Sequence, residues 1–247
     1  MSHNLKPALY TSLSPALLHL YDISQSIVVI IDVLRATSTI ATALYNGAKT
    51  IIPVDGVAEC IRLGKQINAI TAGERDGKIA EGLQHGNSPS EYPAAFIKGK
   101  TLVLTTTNGT RLLHIALNNG AKTIITGSFA NVDRVCDFLL KKKMPVMLAC
   151  AAWKDRVNVE DSLFAGMVIS RIGAHFTIPC DASKMVLGMY HQAEGDLYGF
   201  MERNQTSHFE RLSGYGLQDD IRLCLTPNTA SSLPLYVDGK LINHTED

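Results

Sequence analysis

The feature that most constrains this 247-residue chain is a repeated strand–loop–helix pattern. Residues 27–52 and 101–125 each begin with an apolar run, pass through a polar stretch and continue with helical spacing. Within them, residues 44–52 (LYNGAKTII) and 117–125 (LNNGAKTII) are identical at eight of nine positions. A loop between a strand end and a helix start is where α/β proteins bind anions. The repeat therefore predicts two similar loops placed to bind an anionic ligand.

A third strand–loop–helix unit follows at residues 145–172, and a hairpin with an Asp-Gly turn is predicted over residues 231–241. Strands that alternate with helices predict an α/β fold, with a layered, mostly parallel or mixed sheet and flanking helices. All three loops are then expected at the carboxyl edge of the sheet. No low-complexity linker divides the chain, so we interpret residues 1–247 as a single unit with a pseudo-repeat at 27–60 and 101–133.

The amino-acid composition limits the classes of partner that this chain is expected to bind. Lys+Arg and Asp+Glu both number 23, and this zero net charge argues against nucleic acid or a membrane surface as a partner. No apolar stretch of about 20 residues is present to cross a bilayer. Five cysteines without CxxC spacing favour buried thiols, and the N-terminus lacks a signal-peptide pattern. A cytoplasmic location is therefore predicted, and homo-oligomerisation is left open.

Asp32 and Arg35 are the charged candidates in the first loop. A carboxylate at a strand end can bind Mg²⁺ or act as a nucleophile, and an arginine can grip phosphate or carboxylate through two bonds. The alternative is an Asp–Arg pair that only braces the loop. The second copy has Thr105 and Asn108 at these positions. This divergence at the ligand-facing positions favours function.

The second loop contributes neutral candidates for substrate binding. Thr107, Asn108, Gly109 and Thr110 supply hydroxyls, an amide and a small residue before a helix, where backbone N–H groups can cradle an oxyanion. The alternative is ordinary N-capping by Thr107 or Asn108, worth about 1 kcal/mol.

Residues 73–92 have little periodicity and are interpreted as a long functional loop that ends in a short helix. Glu74 and Arg75 lie among glycines in GERDG, which suits a mobile loop closing over a charged ligand, although a solvated turn is the alternative. Asn87 follows a glycine and precedes a capping box at residues 88–91, so it is retained as a binding candidate.

The third unit adds acids and bases. Glu160 and Asp161 open its helix, where one acid is explained by capping and the helix dipole and the other is a candidate metal ligand. Lys154 and Arg156 lie in the preceding loop, in position for an anionic substrate. The chain lacks GxxxxGK[ST], GxGxxG, GxSxG and HExxH motifs, so neither a nucleotide cofactor nor zinc is indicated.

The segments DVLRATST, GER, GNSP, TTTNGT and EDSLFAG occur in this order, with GLQDDIRLC and LPLYVDGKL near the end. On these motifs the chain resembles the 2-phosphosulfolactate phosphatase family over nearly its whole length. The resemblance implies an α/β fold of its own and a cytoplasmic, Mg²⁺-dependent phosphohydrolase. Such an enzyme would cleave (2R)-2-O-phospho-3-sulfolactate to 3-sulfolactate and phosphate, a step toward coenzyme M.

For this chemistry the hypothesis places Mg²⁺ on Asp32, with Glu74, Glu160 or Asp161 completing the shell. Asp32, Arg35 and Glu74 are the predicted catalytic residues. A covalent role for Asp32 is the variant, although Leu34 stands where the aspartyl-phosphatase pattern DxDxT has its second Asp. The functional alternatives are a phosphatase for a different small anionic phosphomonoester and a non-catalytic anion-binding protein.

Overall fold

A computed structural model describes residues 6–75 and 78–245, so Asp76 and Gly77 of the predicted GERDG loop lie outside the described residues. Ten strands in these ranges form one sheet in the order β1-β8-β2-β7-β9-β10-β3-β6-β4-β5. The strands are β1 (Leu9–Ser12), β2 (Ile27–Ile31), β3 (Thr50–Pro53), β4 (Ile70–Arg75), β5 (Lys78–Ile79), β6 (Thr101–Thr105), β7 (Thr123–Gly127), β8 (Val146–Cys150), β9 (Pro234–Val237) and β10 (Lys240–Asn243).

The sheet consists of two parallel groups joined by a hairpin. Strands β1, β8, β2 and β7 are mutually parallel neighbours, and so are β3, β6 and β4. The predicted C-terminal hairpin is confirmed as β9–β10, and it pairs antiparallel with β7 on one side and β3 on the other. Three antiparallel pairings separate the groups, so the groups run in opposite senses. The α/β class with a mixed sheet is therefore confirmed.

Strand β2 shows why the first apolar run is continuous. All five of its residues are buried. Ile27, Val29 and Ile31 pack in the larger core beneath the helices of residues 132–225, whereas Val28 and Ile30 pack on the other face beside the helix of residues 109–118. Alternate side chains of a strand point to opposite faces, and here helices cover both. Each fully buried Val or Ile contributes about 1.5–3 kcal/mol relative to exposure.

Ten α-helices flank the sheet within the described ranges. They are α1 (Ala36–Tyr45), α2 (Val57–Ile67), α3 (Ala94–Ile97), α4 (Gly109–Asn118), α5 (Val132–Lys142), α6 (Val159–Ile172), α7 (Asp181–Ala193), α8 (Leu197–Arg203), α9 (Ser207–Gly214) and α10 (Gln218–Leu225). The helices predicted after the three loops are confirmed as α1, α4 and α6. In these ranges no helix is both long enough and apolar enough to cross a bilayer.

The prediction of a loop that begins at Gly73 is wrong at its start. Strand β4 continues to Arg75, and Gly73 pairs with Thr105 of β6. A Cβ at Gly73 would lie 2.4 Å from the Thr105 carbonyl oxygen, so glycine is required by this close approach of two strands. Residues 73–75 therefore belong to a strand, whereas most of residues 80–88 form no regular element, as the loop prediction expected.

Both copies of the repeat form a strand, a helix and a second strand, as β2–α1–β3 and β6–α4–β7. The first strand of each copy pairs in parallel with the second strand of the other: β2 with β7, and β6 with β3. Each parallel group of strands therefore contains one strand from each copy, and the β9–β10 hairpin lies between the two groups. Their duplication from one ancestral unit stays a prediction.

Candidate active site

The loops that follow β2, β6 and β8 meet at a solvent-open cleft of about 590 Å³, and helix α9 supplies the remaining side. The lining combines acids, bases, amides and one tryptophan. Its residues are Asp32, Leu34, Arg35, Glu74, Asn87, Thr106, Thr107, Asn108, Trp153, Lys154, His208, Arg211 and Leu212. The three loops therefore meet at one cleft. The prediction of a common carboxyl edge is wrong, because β6 belongs to the group of strands that runs opposite to β2 and β8.

Asp32 lies directly after β2 and is 8% exposed. Its backbone carbonyl accepts a 2.9 Å hydrogen bond from the N–H of Thr37, which fixes the start of α1. The pKa of the Asp32 carboxyl is raised to about 6, mainly because burial disfavours its charge. His208 opposes the shift, and Glu74 and Glu160 add to it. A bound cation would therefore stabilise the ionised form of Asp32.

Glu160 and His208 form a buried pair beside Asp32. Nδ1 of His208 lies 2.5 Å from Oε1 of Glu160, and both side chains are less than a tenth exposed. Oε2 of Glu160 is buried, and no residue in the described part of the chain hydrogen-bonds to it. A buried carboxylate oxygen without a partner is costly. This oxygen is consequently a candidate ligand for a cation.

Asp161 has a different role from its neighbour. Its Oδ1 accepts a 2.9 Å hydrogen bond from the N–H of Val33, and its Oδ2 accepts a 3.3 Å hydrogen bond from the N–H of Ala152. The Asp161 carboxylate thus joins the loops after β2 and β8. Burial, followed by the charges of Glu160 and Asp32, raises the pKa of Asp161 well above its usual range.

Arg35 lines the cleft and belongs to a buried polar network. Its Nη1 lies 2.5 Å from Oδ2 of Asp220 on α10, and Oδ1 of Asp220 accepts a 2.6 Å hydrogen bond from the Ser88 hydroxyl. Ser88 is also the N-cap of a short 3-10 helix in the predicted capping box. A helix near the C-terminus therefore holds the arginine of the first loop.

The second loop packs directly against Asp32. A Cβ built on Gly109 would lie 3.0 Å from Oδ2 of Asp32, so the first turn of α4 approaches the carboxylate closely. The Thr106 hydroxyl accepts a 3.3 Å hydrogen bond from the N–H of Thr110. Thr107 extends the loop to β4 by donating a 3.0 Å hydrogen bond to Oε1 of Glu74.

The third loop places an aromatic ring at the mouth of the cleft. Trp153 and Arg156 exchange two 2.9 Å backbone hydrogen bonds across a tight turn, in which Lys154 and Asp155 have positive φ. Nζ of Lys154 lies 4.7 Å from the centre of the Trp153 ring, and Cζ of Arg211 lies 4.1 Å from it.

A sequence model of the 2-phosphosulfolactate phosphatase family matches residues 12–239. This protein belongs to that family. It is 37% identical over 222 residues to the "Probable 2-phosphosulfolactate phosphatase" of Caldanaerobacter subterraneus subsp. tengcongensis, with 88% of this chain and 90% of the relative covered. The protein of the same description from Thermotoga maritima is 36% identical over 221 residues, with 87% and 90% covered.

This phosphatase family suggests a divalent metal, and the donor chemistry of the site fits one. Among residues 6–75 and 78–245, no group of three or more His, Cys, Asp or Glu is arranged to hold a metal ion. Mg²⁺, however, is usually held by one or two carboxylates together with waters and substrate phosphates. Asp32 and the unpartnered Oε2 of Glu160 supply oxygens of the right kind.

Most of the predicted site residues of this family member come together at the cleft. Asp32, Arg35, Glu74, Asn87, Thr107, Asn108 and Lys154 line it. Oδ1 of Asn87 is buried, with no hydrogen-bond partner among the described residues. Gly109 lies against Asp32, and Glu160 lies beneath the cleft beside His208.

Other predicted binding residues do not line the cleft. Arg75 points to the Glu74 carbonyl and the Thr105 hydroxyl, at 2.6 and 3.3 Å. Thr110 is buried against Thr106, and Arg156 is exposed at the far end of its turn. The oxygens of Asp161 already accept backbone hydrogen bonds. This geometry does not support a substrate-binding role for Arg75, Thr110 or Arg156. It also does not support a metal-binding role for Asp161.

Sequence reasoning missed Trp153, His208, Arg211 and Asp220. His208 and Arg211 are three residues apart, a spacing that puts them on one face of α9. That spacing could have indicated a functional face of the helix. The many charged residues around it, however, are also typical of an ordinary solvent-exposed helix. Asp220 lies in the GLQDDIRLC segment, in which nothing distinguishes a buried acid from the exposed Asp219 before it.

Proposed function

We propose that this protein is a Mg²⁺-dependent phosphatase that hydrolyses (2R)-2-O-phospho-3-sulfolactate to (2R)-3-sulfolactate and phosphate. The observation that carries the proposal is one cleft that brings the buried carboxylate of Asp32, with Glu160 beneath it, together with the cations Arg35, Lys154 and Arg211. The acids suit a metal and the phosphate it binds, and the cations suit the other anionic groups of the substrate. The names of the relatives point to the same substrate.

Asp32 and Glu160 would hold the metal, with Glu74 at the rim. When bound, Mg²⁺ supplies charge neutralisation at the phosphoryl group and activation of a water. Asp161 keeps the loop that carries Asp32 in place through its two backbone hydrogen bonds. The first-turn N–H groups of α4, next to Asp32, are suited to phosphate oxygens.

Arg35 and His208 have complementary tasks in this proposal. Asp220 orients Arg35 so that its guanidinium borders the cleft, where a cation stabilises charge that develops on the transferring phosphoryl group. Glu160 orients the His208 ring at the wall beside Asp32. The cytoplasmic location and the step toward coenzyme M stay predictions.

The experiment measures phosphate release from phosphosulfolactate, 2-phospholactate and 2-phosphoglycerate, with and without Mg²⁺. We expect preference for the sulfonated substrate and loss of turnover with a chelator. Preference for another phosphomonoester would replace the substrate assignment, and ligand binding without turnover would favour the anion-binding alternative.

Asp32→Asn tests the metal role. We expect turnover to fall by roughly 10³-fold together with Mg²⁺ binding measured by calorimetry. Asp22→Asn is the matched control, because Asp22 is exposed in the segment just before β2. Retained Mg²⁺ binding with lost turnover would point instead to Asp32 as a covalent nucleophile.

A further inference from the structure

Trp153, Lys154 and Arg211 form a cationic corner at the mouth of the cleft. All three line it, and both cations approach the same indole ring, at 4.7 Å for Lys154 and 4.1 Å for Arg211. Cations are attracted to the face of an aromatic ring, and tryptophan is the strongest such partner. The ring therefore restrains two otherwise flexible side chains at one place.

The turn that carries Trp153 is anchored at both sides. Arg111 of α4 contacts the Asp155 carboxylate through two nitrogens, at 2.8 and 3.1 Å. The Asp155 carbonyl accepts a 3.0 Å hydrogen bond from the hydroxyl of Ser14. Because α4 also packs against Asp32, one helix contacts both Asp32 and the turn that carries the corner.

The two cations of the corner differ from Arg35 in their partners. Arg35 is paired with the buried carboxylate of Asp220. Across the described ranges, by contrast, neither Lys154 nor Arg211 forms a salt bridge or a side-chain hydrogen bond, and each lies over the Trp153 ring. A guanidinium stacked on a ring keeps the N–H groups at its edge available. The corner thus presents hydrogen-bond donors that no residue in the described part of the chain satisfies.

We propose that Arg211 is the residue that determines specificity for the sulfonate, with Trp153 as its positioning platform; this rests on the proposed function. In the proposed function the phosphate lies beside Asp32 and Glu160, which would hold the metal. The corner remains for a second anion. A sulfonate is fully ionised and has three oxygens, so it can accept hydrogen bonds from Arg211 and Lys154 together.

The experiment compares kcat/KM for phosphosulfolactate and for 2-phospholactate, which lacks only the sulfonate. For Arg211→Gln we expect a roughly 10- to 100-fold loss on the sulfonated substrate, mostly in KM, and less than about 3-fold on phospholactate. Arg211→Lys should recover part of the loss. Trp153→Leu should give a smaller loss, about 5-fold, with the same selectivity.

Arg222→Gln is the matched control. Arg222 also stacks on an aromatic ring, with its Cζ 3.7 Å from the centre of Tyr198, but it does not line the cleft. It should leave both substrates unchanged. Circular dichroism and thermal melts on every variant separate binding defects from unfolding.

Equal loss on both substrates, or a loss as large in Arg222→Gln, would overturn the role of Arg211 while leaving the phosphatase intact. A loss confined to phospholactate would assign the corner to the carboxylate and also overturn it. Failure of the unmodified protein to hydrolyse phosphosulfolactate would instead refute the proposed function, and the inference with it.

Discussion

The loops after β2 and β6 occupy equivalent places in two strand–loop–helix segments, yet they are stabilised differently. The first is charged, and its Arg35 is held by Asp220, 185 residues away in sequence. The second is neutral, and its buried Thr106 hydrogen-bonds to Thr110, four residues away, while its exposed Thr107 hydrogen-bonds to Glu74. A neutral polar loop can satisfy its groups locally, whereas buried charges need partners from elsewhere in the fold. The charged loop therefore depends on the C-terminal helices.

The largest expected effect tests this dependence. Asp220→Asn removes one partner of a buried ion pair and should lower the free energy of unfolding by about 3–5 kcal/mol. Urea denaturation monitored by circular dichroism measures the change. Asp219→Asn is the matched control, because Asp219 is exposed one residue earlier. Equal stability of the two variants would mean that the first loop is as self-sufficient as the second.

The next effect concerns Asp32 itself. Its folded-state pKa, about 6, lies above the 3.8 of an ordinary aspartate, so the folded protein binds this proton more tightly than the unfolded chain. The metal-free protein therefore loses stability as pH rises from about 4 to 6. Asp32→Asn removes that loss and should stabilise the metal-free protein at pH 8, by on the order of 3 kcal/mol.

Thermal melts in chelator at pH 5 and pH 8 measure this difference. The gain of Asp32→Asn over the unmodified protein should be larger at pH 8. Thr105, the counterpart of Asp32 in the neutral loop, is uncharged, so Thr105→Val should give a stability change that does not vary with pH. A gain for Asp32→Asn that is the same at both pH values would show that its charge carries no folding cost.

The smallest effect tests the contact between the loops. In Gly109→Ala the new methyl would lie 3.0 Å from Oδ2 of Asp32 and 3.3 Å from the Thr106 hydroxyl. Displacing the carboxylate should lower kcat/KM about tenfold with little unfolding. Gly188→Ala in α7, where no atom lies within 4 Å, should be neutral or slightly stabilising. Unchanged kinetics in Gly109→Ala would mean that the loops act independently.

Much of the fold was predictable because its signals are local. Strand β2 is a run of β-branched residues, and the helices after the three loops have clear apolar spacing. The C-terminal hairpin has its Asp-Gly turn, but nothing local indicates that it pairs with β7 and β3 in the middle of the sheet. Strand β4 was mistaken for a loop because Gly73 is selected by the close approach of β6.

The site was predictable in part for the same reason. Asp32, Arg35, Asn108 and Lys154 lie in the loops after β2, β6 and β8, which the strand–loop–helix pattern identified as candidate binding loops. His208, Arg211 and Asp220 lie on short helices with many charges, where burial cannot be read from the sequence. Arg75 was expected to bind substrate, but its guanidinium contacts the Glu74 carbonyl and the Thr105 hydroxyl.

By itself, the sequence determined the strand–loop–helix order, the family and the residue types available at the strand ends. Only the tertiary structure decided which charges are buried, which are paired and which stay available. Asp161 and Glu160 are adjacent in sequence, yet Asp161 accepts two backbone hydrogen bonds, whereas Glu160 keeps a buried oxygen to which none of the described residues hydrogen-bonds. The physical reason is that desolvation and hydrogen bonding depend on neighbours distant along the chain, which local patterns do not specify.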